Sequence, residues 1–288
     1  MSTSPTSIVW LSDLHLEFLQ AAEVDRFLAK VCLAAPRAVL LSGDISGARW
    51  LREHLSLLAD RISVPIYFVL GNHDYYGGAF ATVDEMVMGL CAKKQNLHWL
   101  NKEGAVPLSE RTGLVGHAGW GDGMAGLGRK SPVSLNDFIQ IRDLREVDRS
   151  AMFDILHERG KAAATHLRTV LPSTLKKFDR VFILIHPPPF PDASRHAGLR
   201  SDSDHLPHFC RHPYSVRNAN DEGLMSARSP SSSGERPPPT NADGADKRLC
   251  TEPIFGEPIL LVTVVRMKRF SEMLLGTGAT ERKPPGRC

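Results

Sequence analysis

Four short apolar runs in this chain close on Asp, Asn or His. Ile8-Val9-Trp10-Leu11 leads into Ser12-Asp13-Leu14-His15, and Ala38-Val39-Leu40-Leu41 leads into Gly43-Asp44. Pro65 to Leu70 (PIYFVL) leads into Gly71-Asn72-His73-Asp74, and Arg180 to Ile185 (RVFILI) leads into His186 and three prolines. Stretches with helical spacing separate the first three runs. Ala21 to Ala34 carries Ala22, Val24, Phe27, Leu28 and Val31 on one face; Trp50 to Ile62 and Ala79 to Cys91 behave alike. Continuous apolar runs that alternate with helical segments predict an α/β layer fold whose strands are buried on both faces.

Shorter segments follow. Leu97 to Leu100, Ala105 to Leu108 and Gly113 to Val115 suit a second sheet, and Glu146 to Leu171 reads as one long helix closed by Pro172. The character changes after Phe209. Residues 211–250 hold five Pro and six Ser, with no helical or strand period, which predicts a linker or disorder. A short apolar piece, Ile259 to Val265, a possible helix from Arg266 to Leu275 and a polar tail complete the chain. The organisation expected is therefore an incomplete α/β domain over 1–209, a Pro/Ser-rich linker over 210–257, and an apolar segment with a tail over 258–288.

Charge and cysteine content narrow the function classes. Residues 1–209 hold 23 basic and 23 acidic residues, so the net charge of +3 falls wholly in residues 210–288. That gives no specific nucleic-acid signal. No apolar stretch approaches the roughly 20 residues a bilayer crossing needs. The first residues lack the basic-then-apolar pattern of a signal peptide. Five scattered cysteines without a CxxC pair suggest neither a zinc knuckle nor a disulfide framework, and point to a cytoplasmic home. No oligomeric state is legible.

The strand-end residues are of one chemical kind. Sites in open α/β sheets form outside the carboxyl ends of strands. In extended backbone, residues two apart point the same way, so Asp13 and His15 can aim at one ion while Leu14 turns to the core. The two oxygens of Asp44 can bridge two cations, and Gly43 lets the chain turn sharply beside them. Asn72 offers a carbonyl oxygen and His186 an imidazole nitrogen. Such mixed oxygen and nitrogen ligands suit Mn, Fe, Zn or Ni better than Ca or Mg.

DxH, GD and GNHD in this order at successive strand ends, then a strand ending in His, resemble the calcineurin-like metallophosphoesterase superfamily over roughly residues 7–209. The resemblance implies a four-layer α/β/β/α sandwich, two divalent cations and a phosphoester substrate, monoester or diester. Asp13 and His15 would hold the first metal, Asp44 would bridge, and Asn72 and His186 would hold the second. His73 would stand near the leaving-group oxygen as general acid or phosphate-binding donor, with Asp74 orienting its ring. A water activated between the cations would attack phosphorus in line, and His73 would donate a proton.

The family pattern also ends in a strand closing on Gly-His-x-His, and this chain has none: the last of its twelve histidines is His212. The motif and the periodicity are lost together near Phe209. That predicts an aberrant C-terminal part, translated out of frame or substituted after truncation, which the other reading frames of the coding DNA would test. It leaves open a catalytically impaired or non-enzymatic descendant, or a module that holds a phosphorylated ligand without turnover.

Several other residues invite roles that plainer explanations also cover. His117, His205, His208 and His212 could replace the missing ligands, although packing or surface placement is the simpler reading. His54, His98, His157 and His166 suit surface or core. Trp120 and Asp122 could line a cleft. Tyr75 and Tyr76 could stack on substrate or pack.

Overall fold

The apolar runs resolve into two sheets. The computed structural model describes residues 7–189, 191–196, 199–209 and 259–263, the last as backbone only. In the first sheet β1 (Ile8–Leu11), β2 (Ala38–Leu41), β3 (Ile66–Phe68) and β4 (Leu97–Trp99) lie parallel in chain order. They are joined by α1 (Ala21–Leu33), α2 (Ala48–Arg61) and α3 (Phe80–Cys91). The chain then forms β5 (Val106–Ser109), β6 (Thr112–Gly116), α4 (Asp137–Gln140), α5 (Arg142–Arg145), α6 (Arg149–Lys177) and β7 (Arg180–Ile185). A small hairpin, β8 (Arg195–His196) with β9 (Leu199–Arg200), precedes α7 (Leu206–Phe209) and the strand β10 (Ile259–Thr263). The second sheet has the order β10-β7-β6-β5, parallel except for the β5–β6 pair.

Strand periodicity explains the layers. Val39, Leu41, Ile66 and Phe68 pack with Phe27, Leu28, Leu51 and Leu55 of the helices. The alternate residues Ala38, Leu40, Tyr67 and Val69 meet Leu114 and Leu184 of the second sheet. On the outer side of that sheet Val115, Val181, Ile183 and Ile185 pack against Leu167, Val170 and Leu171 of α6. The central strands β2, β3, β6 and β7 thus bury both faces, between helices and the other sheet. The result is a four-layer α/β/β/α sandwich, as expected.

Two expectations need correction, and one open assignment is filled. Leu97–Trp99 belongs to the first sheet, not the second: it pairs with β3 through Ile66–Leu97 and Phe68–Trp99. Pro172 does not end α6, which runs on to Lys177. A proline inside a helix forfeits one backbone bond and strains the preceding turn, at about 3 kcal/mol. Here Leu167, Val170 and Leu171 are packed against the sheet before it, and buried Phe178 anchors the chain after it. Ser173 and Thr174 also donate their hydroxyls to the Val170 carbonyl at 3.1 and 2.6 Å. Lastly, part of the late apolar piece is a strand: Ile259 to Thr263 pair in register with Val181 to Ile185. The proposed linker at 210–257, His212 and the possible helix at 266–275 lie outside the described residues.

Candidate metal centre

The site residues stand at the carboxyl ends of β1, β2, β3 and β7, but the first motif is not extended. β1 ends at Leu11, and Asp13 and His15 have φ of 51° and 45°. Asp44 has φ 52° and Gly43 φ 97°. The two loops are laced together by backbone bonds: Asp13 N–H to Gly43 O (3.1 Å), His15 N–H to Asp44 O (3.0 Å) and Leu16 N–H to Ile45 O (3.0 Å). Leu14 and Leu16 anchor the first loop in the core. Left-handed backbone at three non-glycine residues costs of order 1 kcal/mol each and persists only when its surroundings enforce it. The period-two argument is therefore the wrong geometry for Asp13 and His15, although Leu14 does turn inward.

Asp44 is the centre of the arrangement. It is buried, with Oδ2 3.8 Å from His15 Nε2 and Oδ1 3.4 Å from His186 Nε2. Oδ1 also accepts the His73 backbone N–H at 3.0 Å. Burial alone would raise the Asp44 carboxyl. The charges of His186, His73 and His15 outweigh it and hold the group below the usual carboxylate range. The approach is possible because of two glycines. A Cβ on Gly71 would stand 2.1 Å from Asp44 Oδ1, and one on Gly43 would stand 2.7 Å from His186 Nδ1.

His186 is aimed by the backbone. The Ser42 carbonyl accepts from Nδ1 at 2.8 Å, so Nε2 is the nitrogen presented to the site. That nitrogen lies 3.2 Å from Asn72 Oδ1. Burial pushes the ring's pKa down, but Asp44, Asp13 and the Ser42 carbonyl more than compensate, so it is raised overall. Asn72 in turn donates its amide to Asp137 Oδ1 at 2.8 Å.

Ligand atoms of His15, Asp44 and His73 lie within 4.8 Å of one another. Asn72 and His186 complete the other side of Asp44. Asp13 lies outside that triplet; it is buried, accepts a short bond from the Ser12 hydroxyl, and acts on His186 through its charge. The set fits divalent cations. Carboxylate, amide and imidazole acceptors converge there, and buried His15 Nδ1 has no hydrogen-bond partner among the described residues.

The His73 ring stacks on Tyr76, with centroids 4.2 Å apart at 24°, and meets His15 edge-on at 4.7 Å. Asp74 is fully buried and serves the surrounding turns. Its Oδ1 accepts from Ile45 and Ser46 N–H (2.7 and 2.9 Å) and its Oδ2 from Gly71 N–H (2.7 Å). Burial and the Asp44 charge push it up to about 7 against those donors. Asp74 thus fixes the loop that presents His73.

The remaining candidates are used elsewhere. Tyr75 is buried and donates its hydroxyl to Asp84 at 2.8 Å. Trp120 packs edge-on to Phe80 and under Arg159, and Asp122 is buried, accepting from Met124 N–H, so neither lines an open cleft. His205 pairs with Asp202 at 2.7 Å, and His208 is buried between Phe138 and Phe153 with Nε2 3.0 Å from Ser131 Oγ. His117 Nδ1 accepts from Gly119 N–H, and the ring lies beside His166. His54 bonds Ser46 Oγ at 2.8 Å. Sequence reasoning missed Asp137 and the Ser42 carbonyl. The first sits in an ordinary Leu-Asn-Asp-Phe stretch, and the second is a backbone atom that carries no sequence signal.

The model of the calcineurin-like phosphoesterase family matches residues 6–215. An uncharacterized metallophosphoesterase of Campylobacter jejuni is 34% identical over 126 residues, an alignment spanning 42% of this chain and 31% of that relative. Among solved structures, the phosphopantetheinyl hydrolase of Mycobacterium tuberculosis has 16% identity and a TM-score of 0.49, over 70% of this chain and 75% of that one. A dimetal phosphatase from Danio rerio has 15% identity and a TM-score of 0.38, over 64% and 70%. With its sandwich fold and the family model matched over most of its length, this chain belongs to the calcineurin-like phosphoesterase family.

Proposed function

We propose that the chain hydrolyses a phosphomonoester or phosphodiester with water activated between two divalent cations. The observation that carries this reading is Asp44, whose two oxygens face His15 on one side and His186 on the other. Asp13, His15 and Asp44 would hold one ion; Asp44, Asn72 and His186 would hold the second. Mn, Fe, Zn or Ni suits these donors. When bound, the pair supplies an acidified water and charge neutralisation for the phosphoryl oxygens. His73 stands over the same carboxylate and donates a proton to the leaving oxygen. Asp74 holds the loop that carries it. We take residues 1–209 as the hydrolase unit, matched by the family model over nearly the same span. A cytoplasmic home suits the scattered cysteines, of which Cys32 and Cys91 are free. No helix among the described residues is long and apolar enough to cross a membrane.

One observation favours a second reading, metal or phosphate binding with impaired turnover. The edge strand beside β7 is β10, and the residues after it are Val264-Val265-Arg266-Met267, with no Gly-His-x-His. Hydrolysis of a chromogenic phosphodiester by the full chain, with and without Mn²⁺, separates the two. Metal-dependent turnover that falls on the order of 100-fold or more in Asp44→Asn supports the hydrolase. A folded protein no faster than that variant supports the impaired descendant.

A further inference from the structure

We propose that Asp137 is a positioning residue that fixes the second-metal ligand Asn72 in its ligating orientation. The inference rests on the two-metal reading above. An amide side chain can present either its oxygen or its nitrogen, and only the oxygen can ligate a cation. Asn72 Nδ2 donates to Asp137 Oδ1 at 2.8 Å, which leaves Oδ1 turned toward His186 Nε2 at 3.2 Å. A carboxylate accepts and does not donate, so Asp137 selects the donor end of the amide for itself and the acceptor end for the site.

Three further observations show that this is a built support. Asp137 is buried, where a carboxylate is retained only if hydrogen-bonded. The same Oδ1 accepts from Tyr76 Oη at 2.5 Å, and the Tyr76 ring stacks on His73. The segment bearing Asp137 is fastened to the loop bearing Asn72. Gly77 N–H donates to Gln140 O, Arg142 N–H to Gly78 O (both 2.9 Å) and Phe80 N–H to Asp143 Oδ2 (2.8 Å). One carboxylate thus sets both a metal ligand and the ring behind the proton donor.

Titration of the full chain with Mn²⁺, followed calorimetrically and by electron paramagnetic resonance, tests this without turnover. Wild type should take up two ions. Asp137→Ala should keep the first and bind the second about 10- to 100-fold more weakly, replacing the coupled-pair spectrum by that of a single ion. Asp137→Asn, whose carbonyl can still accept from Asn72, should recover most of that loss. Should Asp137→Ala not fold, a charge exchange decides. Asn72→Asp alone sets two carboxylates face to face, and adding Asp137→Asn should restore second-site affinity by about 10-fold or more. An unchanged second site in Asp137→Ala, equal loss at both sites, or no recovery in the exchange overturns the assignment but leaves the metal reading standing. No Mn²⁺ uptake by folded wild type overturns both.

Discussion

A methyl group added at Gly71 would stand 2.1 Å from Asp44 Oδ1 and 2.7 Å from His186 Cε1. Neither neighbour can retreat, because Asp44 is wedged under the His73 N–H and His186 is tied to Ser42. Gly71→Ala should therefore lower stability by about 1–3 kcal/mol and reduce metal-dependent turnover by 10-fold or more, read from the thermal midpoint and the phosphodiester assay. At this scale the sequence was legible where chemistry is carried by residue type. Asp13, His15, Asp44, Asn72, His73 and His186 could be singled out because carboxylate, amide and imidazole recur at strand ends. Their postures could not be read. Asp13 and His15 adopt left-handed backbone because the loops after β1 and β2 are cross-bonded, a property of two distant segments together. Asp137 was invisible for a related reason: it meets Asn72 across 65 residues of chain, with no motif to mark it.

Among the elements, α6 departs most from its expected form. Pro172 sits inside it, and packing on β7 overrides the local preference to stop. Pro172→Ala restores a backbone donor without touching the site. It should raise the unfolding free energy by about 1–3 kcal/mol, with kcat unchanged, as equilibrium denaturation and the same assay would show. Strands β1 to β7 and the first three helices were legible to within a few residues because apolar runs and helical faces differ in period, whereas the β8–β9 hairpin carried no such run. Sheet membership was not. Leu97–Trp99 could pair with either sheet on composition, and its place beside β3 follows from α3 carrying the chain back along that sheet.

For the molecule as a whole, the four layers were legible only through the family resemblance; the residue pattern alone reached α/β. One long-range clasp is open to test. Residues 203–208 are pinned to the 121–131 loop by Gly123 N–H to Pro207 O (3.0 Å), Leu127 N–H to Ser203 O (2.8 Å) and the Ser131–His208 contact. Burial first, then Arg149 and His205, pushes His208 down to about 4. An unfolded chain would protonate this ring near pH 6.5, so between these values protons favour unfolding. The contribution is full above about pH 6.5 and falls as the pH drops toward about 4. His208→Asn should flatten that part of the wild-type curve of thermal midpoint against pH, and equal slopes in the two proteins would refute the assignment. The sheet order has a consequence in time. The first sheet follows chain order and is complete at Trp99, whereas β7 begins at Arg180. A ribosome making this protein has already released Asp13, His15, Asp44, Asn72 and His73 while His186 is still to be translated. On the two-metal reading, the donors of the first cation would therefore emerge before the last donor of the second, and the second sheet would close over them afterwards.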